Sequence, residues 1–149
     1  MEDYTQYEAA CEKIRQQNEK LLDNFADRLR KQNLAAGTIN KHVENIDFYI
    51  NEYLLYEDAL EAHDGVGLVS MFLGYWFIKK AMWASATSIR NNAASLKKFY
   101  SCLHEQGLVS AEDLDRLKET IKDEMPEWLA TLERYDDPSI TDMKDVWDL

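Results

Sequence analysis

Histidine and cysteine are the side chains best suited to catalysis or metal binding near neutral pH, and this sequence holds three of the first and two of the second. Their spacing supplies no such chemistry. His42, His63 and His104 fall on three different expected elements, so no two of them share a helix face as paired metal ligands would. Cys11 and Cys102 form no Cys-x-x-Cys or Cys/His cluster, which leaves zinc without a ligand set and the thiols expected to be reduced. Gly65-Val66-Gly67 resembles a fragment of a phosphate loop, but no third glycine or Lys-Ser/Thr follows it. The 28 acidic residues read as the solvated faces of helices. No catalytic residue, metal or cofactor is expected, and the chain is read as a non-enzyme.

What the sequence can support is recognition by charge and hydrogen bonding. Residues 65–104 contain no acid and five bases, Lys79, Lys80, Arg90, Lys97 and Lys98, inside a chain whose net charge is −11. The solvent side of one expected helix carries Thr87, Arg90, Asn91, Lys97 and Lys98, with Asn92 and Ser95 at its margins. Arg and Asn present paired hydrogen bonds that match guanine and adenine edges, while Lys, Ser and Thr suit phosphates. A helix of this make-up can lie in a major groove.

The elements that must position these residues are helices. Five glycines and two prolines leave little material for the turns of an all-β fold, and the apolar residues recur at helical spacing. The expected fold is all-α, a compact bundle of about five to six helices. A first helix spans about residues 4–33 on Ile14, Leu21, Leu22, Phe25 and Leu29, with a bend or break around Gln16 to Asn18. Gly37 supplies a stop, and Thr38 an N-cap for a second helix carrying Ile39, Val43, Ile46, Ile50 and Tyr53 on one side. After Asp64, Gly65 and Gly67, a third helix is so crowded with Val69, Phe72, Leu73, Trp76 and Phe77 that it reads as central to the core.

The fourth helix begins near Ser85 to Ser88, buries Ile89, Ala93, Leu96, Tyr100 and Leu103, and ends at Gly107 as its C′ residue. Ser110 with Asp113 opens a fifth on Leu114, Leu117, Ile121 and Met125. Pro126 is expected to separate that helix from another bearing Trp128, Leu129, Leu132 and Tyr135. Residues 1–137 thus form one helical domain. The acidic stretch 138–149 keeps a helical period in Ile140, Met143 and Trp147 behind a possible Ser139 cap, and reads as a tail or a short docking helix.

Charge and hydropathy bound the setting. The acidic N-terminus is the reverse of a signal peptide, and the longest apolar run, Val66 to Ile78, is too short to cross a bilayer as a helix. A cytoplasmic protein with no membrane role is expected.

Residues 24–107 resemble the N-terminal core-binding domain of tyrosine recombinases and phage integrases, the SAM-like helical module. The likeness rests on Asn24-Phe25-Ala26-Asp27-Arg28-Leu29 leading to Leu34-Ala35-Ala36-Gly37-Thr38-Ile39, on Phe72-Leu73-Gly74-Tyr75, and above all on residues 86–100. There the hydroxyl-Ile-Arg opening Ser88-Ile89-Arg90, the central Leu96 and the aromatic pair Phe99-Tyr100 follow the family's fourth helix. The resemblance implies double-stranded DNA as partner, clamped by the second and fourth helices, with Arg90, Asn91, Lys97 and Lys98 as contacts and Lys41 and Asn45 beside them. Lys79 and Lys80 would add phosphate neutralisation. Glu44 and Asp47 on the second helix depart from that role, and the family's His-x-x-Arg element and catalytic domain are absent. The alternative is a helical protein-interaction or regulatory domain, acting as a homodimer or on a protein partner through the apolar third helix or the C-terminal tail.

Overall fold

No glycine or proline interrupts residues 2–31, and the computed structural model, which describes residues 2–147, carries one helix, α1 (Glu2–Lys31), through the whole stretch. The expected break near Asn18 does not occur. Asn18 is 1% exposed, and its amide nitrogen donates to the Ile50 carbonyl at 3.3 Å and to Asn51 Oδ1 at 2.8 Å, so this donor finds partners across the interface while the helix runs on unbroken. Asn33, not Gly37, ends α1: its φ of 63° lets Leu34 N–H reach the Leu29 carbonyl at 3.3 Å.

The second helix, α2 (Ala36–Asp47), starts three residues earlier than a Thr38 cap would allow, with Ala35 as an N-cap that makes no side-chain bond. It runs on as a π-helical stretch, Phe48–Tyr53. A 3-10 turn, Ala62–Gly67, follows, capped by Glu61 and Asp64 bonding to each other's backbone N–H. Two buried phenols pin this turn: Tyr49 donates to the Gly65 carbonyl at 2.6 Å, and Tyr100 to the Ala62 carbonyl at 2.7 Å. Burial, more than neighbouring charge, raises the pKa of both hydroxyls well above that of a free phenol and keeps them protonated donors. The approach is so close that a Cβ on Gly65 would stand 2.5 Å from the Tyr100 hydroxyl. Gly65 therefore serves packing.

The crowded third helix comprises α3 (Val69–Met71), a π-helical segment (Phe72–Trp76) and α4 (Phe77–Lys80). Val69, Phe72, Leu73, Phe77 and Ile78 lie fully inside the core, which accounts for the crowding. Next come α5 (Ala86–Glu105) and α6 (Ala111–Asp136), packed on each other and on the same core. Gly107, at φ 78°, closes α5 as expected, with Leu108 N–H on the Leu103 carbonyl at 2.9 Å.

Pro126 does not break α6. A mid-helix proline costs about 3 kcal/mol, yet Leu117 and Ile121 before it and Trp128 and Leu132 after it are buried in one core, and Pro126 itself is exposed. Burial on both sides outweighs the missing N–H. A short α7 (Met143–Val146), capped by Asp142 in place of Ser139, docks the tail: Arg134 Nε donates to the Val146 carbonyl at 2.7 Å and Trp147 Nε1 to the Gly74 carbonyl at 3.0 Å. The described residues thus form an all-helical bundle of seven α-helical segments without a strand, somewhat more divided than the five to six expected. No helix among them is long and apolar enough to cross a membrane.

Candidate nucleic-acid interface

The orientation of α5 follows from its apolar stripe. Ile89, Ala93, Leu96, Tyr100 and Leu103 are buried, so helical geometry turns Thr87, Arg90, Asn91, Lys97 and Lys98 outward, and all five are exposed. A reciprocal cap fixes the start of the helix: Ser88 N–H donates to Ser85 Oγ at 3.0 Å and Ser85 N–H to Ser88 Oγ at 2.8 Å. The only acid in α5 is Glu105 in its last turn, where Arg28 of α1 pairs with it. Among the described residues, Lys41, Arg90, Lys97 and Lys98 form no ion pair.

Helix α2 lies against α5 through a buried serine. Ser95 Oγ donates to the Asn91 carbonyl at 3.0 Å and accepts from Asn45 Nδ2 at 3.1 Å, with His42 Nδ1 2.7 Å away. A neutral His42 gives its Nδ1 proton to Ser95 Oγ or accepts the hydroxyl's, according to its tautomer. Burial first, and the Lys98 ammonium second, lower the His42 pKa below its ordinary value and favour this neutral form. Asn45 is accordingly half-buried, with its amide nitrogen engaged inside the protein. Asn92 and Ser95, expected at the solvent margin, are instead buried, and Asn92 Nδ2 donates to the Ser88 carbonyl at 2.8 Å.

Two clefts flank α5. One, of about 390 Å3, runs between α5 and the end of α1, lined by Lys97, Lys98, Ser101, Arg28, Gln32 and Glu105. The other, of about 410 Å3, lies between α5 and α2 and collects Lys41, His42, Glu44, Asn45, Asn91 and the indole of Trp83. Lys79 and Lys80 line neither. They stand at the end of α4, with their ammonium groups 5.5 Å from the Tyr75 ring and 5.6 Å from the Tyr56 ring. The acid-free stretch therefore divides: Arg90, Asn91, Lys97 and Lys98 share one helix face beside Lys41, and the α4 lysines sit with their tyrosines.

Sequence reasoning passed over Trp83, which is 58% exposed although its ring meets Phe48 edge-on at 5.3 Å. The available signal was a Met82-Trp83 pair between two alanines, immediately ahead of the Ser85 cap. It read His63 and Asp64 singly and did not group them with Glu61, although the ligand atoms of the three lie within 4.8 Å of one another. Both carboxylates already serve the cap of the 3-10 turn, and His63 stands 3.3 Å from Asp64.

No family model matches this chain, and no curated protein or solved structure proved significantly similar to it. The likeness to recombinase core-binding domains rests on the segments quoted above.

Proposed function

We propose that the chain is a non-catalytic DNA-binding domain of the recombinase core-binding type, which holds duplex DNA against the outer face of α5. The observation that carries this reading is the row of exposed, unpaired cations on a helix whose single acid is neutralised by Arg28. Lys97, Lys98 and Thr87 suit phosphates, while Arg90 and Asn91 near the N-terminus of the helix suit base edges. Lys41 adds charge from α2. The net charge of −11 opposes long-range attraction, so affinity should be modest and fall steeply with salt. The histidines contact a serine, a cap carboxylate and a main-chain carbonyl, not one another, which supports a role without catalysis.

Fluorescence anisotropy with a labelled duplex across a salt series tests the proposal. Lys97→Ala/Lys98→Ala should weaken binding at least about tenfold at low salt and flatten the salt slope by about 1 per lost phosphate contact. Lys118→Ala/Lys122→Ala on α6 should change neither. No binding at low salt, or equal losses in the two variants, would refute the reading.

A second reading, a protein-interaction domain, is favoured by exposed apolar side chains: Met82 is 99%, Met71 59% and Tyr56 54% accessible. Sedimentation showing a concentration-dependent dimer that Met71→Ser abolishes, together with no affinity for duplex, would select it.

A further inference from the structure

We infer that the cleft between α2 and α5, walled by Trp83, receives a single unpaired adenine or cytosine, so that the protein prefers DNA containing an unpaired base over continuous duplex. This rests on the DNA-binding reading and names what that surface recognises.

The cleft, at about 410 Å3, falls within the roughly 300–1,000 Å3 typical of small-molecule sites. Its contents are those a base requires. Trp83 supplies an aromatic surface held edge-on by the Phe48 ring, yet still open to solvent. Bases of any sequence stack on such rings. An exposed tryptophan is also unusual within this chain, because Trp128 is buried and Trp76 and Trp147 are mostly covered.

The polar groups around it select an edge. Asn91 is exposed and has no side-chain bond within the described protein, so both its amide donor and its acceptor are open to an adenine-type edge. Glu44 lies in the same cleft and forms no ion pair among the described residues, and a carboxylate there repels phosphate while accepting from an exocyclic amine. That combination argues for the base in the Trp83 cleft and the backbone on Lys97 and Lys98, which line the neighbouring cleft against α1. Met82, adjacent to Trp83 in the chain and 99% exposed, offers an apolar side chain of the kind that wedges into kinked duplexes.

The test compares one labelled duplex in three forms: fully paired, with a single bulged adenine, and with a single bulged thymine. The bulged-adenine form should bind about five- to a hundredfold more tightly than the paired form, the range by which base–aromatic stacking affects affinity, and more tightly than the bulged-thymine form. Trp83→Ala should erase the preference for the bulge and leave affinity for paired duplex nearly unchanged; Trp83→Phe, which keeps a ring, should retain part of it. Glu44→Gln should narrow the adenine-over-thymine difference. Equal binding of paired and bulged DNA, or a preference that survives in Trp83→Ala, would overturn the inference and leave the DNA-binding reading standing. Binding to none of the three would overturn both.

Discussion

Helices α5 and α6 pack against each other and bury their inner faces in one core, yet their outer faces carry opposite charge. Along its 20 residues α5 has a single acid against Arg90, Lys97 and Lys98, whereas the 26 residues of α6 hold nine acids and four bases. Folding requires only the inner stripe of each, since an exposed polar face contributes little to stability whatever its sign. The outer faces are free to differ, and a helix that sheds every acid but one within so acidic a chain departs from the molecule's own background. The difference separates what the bundle needs from what a ligand could use. It also gives the molecule a polarity, with α6 and the tail forming an acidic side that would keep a polyanion on the α5 face.

If the inner faces are equivalent, equal truncations should have comparable costs. Leu96 of α5 and Leu117 of α6 are 1% and 2% exposed. Leu96→Ala and Leu117→Ala should each destabilise the protein by about 2–5 kcal/mol, read from urea denaturation. A loss below about 1 kcal/mol at either position would show that its helix is not a full partner in the core. Affinity for DNA at low temperature, where both variants stay folded, should remain near that of the parent.

The inner faces are also what the sequence made legible. Ile39, Ile46 and Ile50 of the second helix, and Ile89, Leu96 and Leu103 of α5, lie buried where their spacing puts them, because a 3.6-residue period reports a face directly. Caps built from local chemistry, Ser85, Ser110 and Gly107, could be read in the same way. What escaped depends on neighbours. Thr38 has the right side chain for an N-cap, but Asn33 turns the chain early, and α2 begins on an alanine. Pro126 reads as a stop until the burial on both sides of it is known. The π-helical stretches at Phe48–Tyr53 and Phe72–Trp76 leave no mark in the periodicity.

The candidate site shows the same division. Arg90, Asn91, Lys97 and Lys98 had to point outward once the opposite stripe was fixed. The burial of Ser95 and the exposure of Trp83 followed only from knowing which helix lies alongside. Lys79 and Lys80 looked continuous with the α5 cations in sequence, but Lys79 sits over Tyr75 one turn back on its own helix, and Lys80 meets Tyr56 through a tertiary contact.

The two helix starts sharpen the contrast at lower energy. Both use a serine cap, but α6 adds Glu112 and Asp113 in its first turn, which complement the helix dipole, while α5 has no acid there. Ser85→Ala should therefore cost more than Ser110→Ala, within the range of about 0.5–2 kcal/mol for a lost cap. Thermal unfolding of the two variants measures the difference. The reverse order would mean that α5 is anchored by its packing alone and that the reciprocal Ser85/Ser88 bonds add little.

The smallest effect concerns His42, where the cationic face meets the fold. Burial and Lys98 depress its pKa, so above the ordinary histidine value, near 6.5, the ring is neutral in both folded and unfolded chains and its titration costs no stability. As pH falls through that value the unfolded chain takes up the proton first, and stability declines toward the lower folded pKa. His42→Gln should lose less stability over this window than the parent, and Lys98→Ala should raise the His42 pKa in an NMR titration. DNA should act in the opposite direction. A protonated His42 adds charge beside Lys41 and Lys98, so phosphate near this face would favour the charged ring and raise its pKa. If bound duplex leaves the His42 titration where it was, the α2 side of the cleft carries no part of the interface, and the contact is confined to the Lys97 side of α5.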